Sequence, residues 1–308
     1  MRFINTRRVS VGVEPICRAL GVPASTYYAR RSRRPSLRAR RDSELIIEIE
    51  AARSGYRSVY GVRKTWRELK RRGVDVGRER VARLMRQQGL AGVRRGRRRR
   101  LTIPDAAAER ARDLVQRDFA SAAPNRLWVA DITYVRTYSG FVYLAFILDA
   151  YSRLVVGWQL ATHLRASLVV DALEMAAALR QPAAGLVAHT DRGSQYTSIV
   201  YTERLAEYCI APSVGTAGDA YDNALAEAFV ATYKSELVEH HLAGRAFSGF
   251  EQAEHETLRW LGFYNAERLH GELHDTPPAE YEQQRPCGPP EAAQPALHSG
   301  ALAGLGKF

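Results

Sequence analysis

Three carboxylates stand where a purely structural role does not fully account for them. Asp131 lies within the apolar run LWVADITYV (127–135), Asp191 within HTDRGSQYTS (189–198), and Glu227 within DNALAEAFVATYKSELVEHH (222–241). Strand alternation puts Asp131 on the face of Leu127, Val129 and Val135, where a charge is costly to bury unless a cation or hydrogen bonds compensate it. Asp191 closes a short apolar stretch, and a turn at Gly193 leaves its carboxylate at the strand tip, where sites in α/β sheets gather. At 100° per residue Leu225, Phe229, Tyr233 and Leu237 form one apolar helix side, while Glu227 and Lys234 lie within about 20° of each other on another. Ala224 and Ala231 flank Glu227 and leave room for a ligand, although alanine is also a strong helix former.

Oxygen donors without local histidine or cysteine select a hard divalent ion, Mg²⁺ or Mn²⁺, rather than zinc. Two such ions about 3.5–4 Å apart activate an attacking oxygen and stabilise a leaving one in an in-line phosphodiester displacement. Spacing alone does not select these residues, because the chain holds 33 Asp and Glu and any one of them can be a cap or a surface charge. Asp149, ending the second apolar strand pattern, competes for the site or forms the turn before Ser152 and Arg153. His189 reads as a packing or hydrogen-bonding residue. His240, His241, His270 and His274 lack the further donors a metal site needs.

Elements that would position these groups begin near Pro124. LWVADITYV, FVYLAFILDA (141–150) and RLVVGWQL (153–160) read as three strands joined by tight turns. A helix over 167–180, a buried strand over 185–189, a helix over 198–209, a strand near 211–215, and helices over about 222–240 and 248–264 follow. The expected fold is α/β, a mixed five-stranded sheet with flanking helices, preceded by all-α helix-turn-helix segments.

The first 100 residues carry 29 Lys and Arg against 8 Asp and Glu; the remaining residues carry 16 against 25. A basic arm beside a mildly acidic body points to a polyanion, most often nucleic acid. VEPICRALGVPASTYYARR (13–31) has a helix-turn-helix pattern, with Ser25 as an N-cap for its second helix. Val62, Trp66 and Leu69 make one amphipathic helix and Val81, Leu84 and Met85 another. The second also carries Arg78, Arg80, Arg83 and Arg86, so it suits a recognition helix and equally a solvated basic one. GVRRGRRRR (92–100), with Arg97, Arg98 and Arg99, reads as a phosphate-seeking flexible linker. The expected organisation is a helical segment at 1–55, a helix-turn-helix module at 56–93, a basic linker at 94–120, a catalytic core at 121–285 and a disordered tail at 286–308. Cys17, Cys209 and Cys287 form no Cys-x-x-Cys pair, which favours reduced thiols. No apolar run is long enough for a membrane span and none reads as a secretory signal, so a soluble cytoplasmic, nucleoid-associated protein is expected.

The motifs around the three carboxylates, followed by YNAERLHGEL and TPPAEY, resemble the catalytic domain of bacterial insertion-sequence transposases of the OrfB type, whose core resembles retroviral integrases. YRSVYGVRKTWRELKRRGVDVGRERVARLMRQQGLAG (56–92) is similar to the helix-turn-helix module that precedes that core, so the resemblance covers nearly the whole chain. It implies an RNase H-like core for the mixed five-stranded sheet, with an Asp-Asp-Glu metal triad at Asp131, Asp191 and Glu227 and with Lys234 on transposon-end DNA. It further implies Mg²⁺-dependent cleavage that frees a 3′-OH, then attack of that 3′-OH on another phosphodiester. Trp128, Asn223, Tyr264, Asn265, Arg268 and His270 match further motif positions. Implied partners are the terminal repeats, target DNA, other copies of the chain on DNA, and an upstream OrfA product or fusion that supplies a leucine zipper this sequence lacks. Two other readings stay open: a non-catalytic DNA-binding repressor of the element ends, and a ribonuclease H-like nuclease.

Overall fold

The computed structural model describes residues 2–93, 121–191, 193–214 and 224–284. The linker arginines Arg97, Arg98 and Arg99, the motif residue Asn223 and the predicted tail 286–308 lie outside them.

Alternation of apolar residues produces the sheet. Strands β1 (Leu127–Thr137), β2 (Gly140–Asp149) and β3 (Val155–Ala161) pair antiparallel in sequence. β4 (Val187–Thr190) and β5 (Ala211–Val214) add in parallel on the other side of β1, giving the order β3-β2-β1-β4-β5. The expected mixed five-stranded sheet is therefore present, with β1 in the middle.

Before the sheet the described residues form the α-helices α1 (Arg2–Val11), α2 (Val13–Ala19), α3 (Ala24–Ser32), α4 (Leu37–Ala52), α5 (Val62–Arg71) and α6 (Arg78–Gln87). The helices around and after it are α7 (Ala166–Arg180), α8 (Ile199–Glu207), α9 (Ala224–Tyr233), α10 (Phe250–Ala266) and α11 (Pro278–Gln284). One expected cap is corrected: Pro23 occupies the N-cap of α3 and Ser25 falls inside its first turn. In place of a side-chain acceptor, the Pro23 carbonyl accepts from the Thr26 N–H at 3.0 Å and closes the first turn.

Odd and even residues of β1 feed two cores, as a pleated strand requires. Leu127, Val129 and Val135 pack with Phe229, Tyr233 and Trp260 of α9 and α10. Trp128 and Ala130 pack with Leu168, Leu173 and Tyr201 of α7 and α8. Gly157 lets β3 meet α7 closely; a Cβ there would lie 2.2 Å from the carbonyl oxygen of Ala172. A third cluster joins α4 to α6 through Leu45, Ile49, Leu69, Val81, Leu84 and Met85, and a fourth joins α1 to α3.

The helical modules also meet the core. Tyr56 donates to Glu256 at 2.9 Å, and Arg63 and Arg67 of α5 reach Asp275 at 3.0 and 3.2 Å. Several basic residues of the arm are therefore occupied inside the molecule.

Candidate metal and nucleic-acid site

β1 is eleven residues long and β4 only four, and the difference creates the site. Their parallel register ends at Ala130 opposite Thr190. Asp131 and Asp191 are the next residue on each chain, so both carboxylates arrive where β4 stops and β1 runs on without it. This is the carboxyl-end crevice that open α/β sheets offer to ligands. Both line one pocket of about 210 Å³, together with Tyr134, Gln195 and Tyr196. Asp131 is half-buried and accepts from the Ile132 N–H at 2.7 Å; Asp191 is exposed and accepts from the Gly193 N–H at 2.9 Å.

Tyr196 is the functional neighbour that sequence reasoning missed. Its ring is buried and its hydroxyl has no hydrogen-bond partner among the described residues. Burial, then the nearby Tyr201, Asp131 and Asp191, push its ionisation well above the usual phenol range, so it remains a proton donor beside the carboxylates. Only its place five residues after Asp191, within the quoted motif, could have signalled it.

Glu227 lies in the first turn of α9, half-buried, and does not line this pocket. Among the described residues no three His, Cys, Asp or Glu side chains converge as a metal-holding group. Its side of the helix nevertheless turns toward β1: Lys234, seven residues on, holds its ammonium 4.6 Å from the ring centre of Tyr134, which lines the carboxylate pocket. From Lys234 to His241 the helix continues as a π-helical stretch. The buried face of α9 includes Ala226, Phe229, Val230 and Tyr233, with Leu225 only partly buried.

Asp149 does not join the pocket. It is fully buried at the opposite end of β1, paired in register with Trp128, and it accepts from the N–H groups of Asn125, Tyr151 and Ser152 at 2.7, 2.9 and 3.4 Å. Burial raises its ionisation, and those N–H donors and Arg180 oppose the rise. It is the turn-former of the two alternatives. His189 packs against β5, its Nδ1 3.0 Å from the Ser213 hydroxyl.

In the arm, Arg80 and Arg83 both bind Asp42 of α4, at 2.8 and 2.7 Å, while Arg78 reaches its neighbour Glu79 and stays exposed. Of the remaining motif residues, Asn265 bonds Val155, Arg268 forms a buried pair with Glu236, and Tyr264 packs in the core.

Residues 121–220 and 208–278 match the integrase core domain family, and residues 39–98 match the HTH-like domain family. The chain is 47% identical over 277 residues to a Mycobacterium tuberculosis protein named "Putative transposase for insertion sequence element IS986/IS6110", covering 86% of this chain and 99% of the relative. It belongs to the insertion-sequence transposases with an integrase core. The transposase for insertion sequence element IS629 of Shigella sonnei is similar as well, 43% identical over 288 residues, covering 92% of this chain and 95% of the relative. Among solved structures, a chain of the simian T-cell lymphotropic virus intasome with the PP2A regulatory subunit B56 gamma aligns with a TM-score of 0.49 and 16% identity, covering 64% of this chain and 67% of that one. For an integrase-core transposase, the observed strand order and helix placement make the sheet an RNase H-like core. No helix among the described residues of this transposase is long and apolar enough to cross a membrane.

Proposed function

We propose that this transposase cuts the ends of its element and joins them to new DNA through Asp131, Asp191 and Glu227. The observation that carries the reading is the shared pocket of Asp131 and Asp191 at the end of β4. The donor chemistry suits a hard divalent ion. Two carboxylates and a buried tyrosine hydroxyl without a hydrogen-bond partner among the described residues offer oxygen alone. Asp131 and Asp191 would hold Mg²⁺ or Mn²⁺, with Glu227 completing the set. When bound, a pair of such ions offsets the charge developing on the attacking and departing oxygens.

The remaining work falls to the protein. Asp131 and Asp191 would set the ions, and with them the scissile phosphodiester, at the strand ends, and Tyr196 stays protonated there as a donor. Water attacks phosphorus and gives up a proton to solvent, the P–O3′ bond breaks and its O3′ takes up a proton, and the freed 3′-OH then attacks a second phosphodiester, whose own P–O3′ bond breaks, so no covalent intermediate with the protein forms. Lys234 binds a phosphate of the element end beside the pocket. Arg78, Arg80, Arg83 and the linker arginines Arg97, Arg98 and Arg99 bind backbone phosphates farther along the same DNA.

Labelled duplexes carrying the inverted repeats that flank the gene, incubated with the full chain and Mg²⁺, should be nicked at their 3′ ends and joined to target DNA. Asp131→Asn, Asp191→Asn and Glu227→Gln should each lower the rate at least ~100-fold while leaving DNA binding intact. An Asp191→Asn protein as active as wild type would sink the proposed site. Tight binding with no Mg²⁺-dependent cleavage would return the chain to the repressor reading.

A further inference from the structure

Beyond the carboxylate pocket lies a second hollow, of about 460 Å³, between the β1–β2 hairpin and the π-helical stretch. Tyr134 lines both, so the two adjoin at its side chain. The walls combine cations with aromatic rings. Lys234, Arg136 and Arg245 face a single carboxylate, Glu239. Tyr138 is 76% exposed, Tyr134 55%, and the neighbouring Phe141 48%. Such rings clustered at the surface of a sheet normally mark an interaction site.

Two of these rings hold each other, and the backbone beneath the third is anchored. Phe141 meets Tyr134 edge-on at 5.3 Å between ring centres, and the Lys234 ammonium sits over the Tyr134 ring. At Tyr138 the backbone N–H donates to the Phe247 carbonyl at 3.0 Å, and the Phe247 N–H donates in turn to the Arg136 carbonyl at 3.1 Å. Phe247 is fully buried, so Tyr138 projects from an anchored turn. A preorganised ring loses little freedom when something stacks on it.

We propose that this hollow holds unpaired nucleotides of the DNA strand that leads away from the scissile phosphodiester, with a base stacked on Tyr138 and a phosphate drawn to Lys234 and Arg245. Charge selects a nucleic acid, and the rings select an unpaired one. A duplex hides its base faces and offers this surface phosphates alone, whereas an unpaired base presents a face that any aromatic ring can stack on. The volume suits a ligand of nucleotide size. The shared wall at Tyr134 places the unpaired stretch next to the pocket of Asp131 and Asp191. The inference rests on the transposase reading for the scissile position, and it assigns Tyr138 as a positioning residue.

The test uses binding in EDTA, so that its failure is distinct from a failure of cleavage. Two hairpin duplexes would be compared with the full chain, one blunt and one with four unpaired terminal nucleotides that include 2-aminopurine. Wild type should bind the unpaired probe more tightly and quench its fluorescence. Tyr138→Ala should weaken binding to the unpaired probe by about ten-fold, change the blunt probe by less than about two-fold, and abolish the quench. Tyr138→Phe should restore all three. Equal binding of both probes by wild type, equal weakening of both by Tyr138→Ala, or an unchanged quench would overturn the inference. A protein that cleaves but shows no preference loses only this inference; one that shows the preference without cleaving retains it.

Discussion

The side-chain amide of Asn265 acts as a strand partner for Val155: its Oδ1 accepts from the Val155 N–H and its Nδ2 donates to the Val155 carbonyl, both at 2.9 Å. β3 is an edge strand, so these bonds satisfy backbone groups that the sheet leaves over and tie α10 to it. Asn265→Ala should cost about 1–3 kcal/mol through the unpaired backbone donor and acceptor. Urea denaturation monitored by tryptophan fluorescence reads this directly, and an unchanged midpoint would contradict it. Asn265→Asp keeps the acceptor and loses the donor, so it should fall between the two.

Asp149 should make stability pH-dependent in a recognisable direction. Burial raises its ionisation in the folded chain above the unfolded value, so folding favours the protonated form. Its contribution is therefore fully present below the unfolded carboxylate range and declines as pH rises through the folded value. Asp149→Asn holds the side chain neutral and removes that decline, so the drop in melting temperature from the acid side toward neutrality should be smaller than in wild type. Parallel melting curves for the two proteins between pH 4 and 7 check the sign.

Regular alternation made the first three strands legible, and the helix–strand alternation after them gave the rest of the sheet. α4 was not read because its buried residues Leu45, Ile49 and Ala52 occupy only its second half, behind a charged first half. The pairing of Asp131 with Asp191 was legible in outline, since each lay at a strand position with an adjacent apolar run. Tyr196 and the aromatic hollow were not, because both depend on β4 ending seven residues before β1 does in their shared register. The face of α9 was also read too narrowly: Ala226 and Val230 are buried where Leu225 was expected to be. Packing there widens the buried side to take in Ala226 and Val230 while Phe229, Tyr233 and Leu237 stay buried, which periodicity alone does not resolve.

Asp42 competes with DNA for two arginines of the expected recognition helix. It binds both Arg80 and Arg83, and their guanidinium groups hold its carboxyl below the usual range. Asp42→Asn removes the charge without removing bulk. Affinity for duplex DNA should rise several-fold and the slope of log affinity against log salt should steepen by about one if a released arginine takes up a phosphate. Arg83→Ala should move both quantities the opposite way. Fluorescence anisotropy across a salt series measures them, and an Asp42→Asn slope equal to wild type would show that these arginines do not meet phosphate.

Arg268 and Glu236 couple the loop after α10 to the π-helical stretch that begins at Lys234. Two hydrogen bonds join them, at 2.8 and 2.6 Å, and both side chains are buried. Removing one partner leaves the other as an uncompensated internal charge, which typically costs about 3–5 kcal/mol, whereas replacing both with apolar residues of similar size is often neutral. Arg268→Ala alone should therefore destabilise strongly, and Arg268→Met with Glu236→Leu should recover most of the loss. The double variant also separates stability from function: without the ion pair, the stretch loses the contact that sets its rotation and hence the position of Lys234. It should fold near wild-type stability yet bind element-end DNA more weakly. Wild-type DNA affinity in a stable double variant would show that Lys234 is positioned by packing alone.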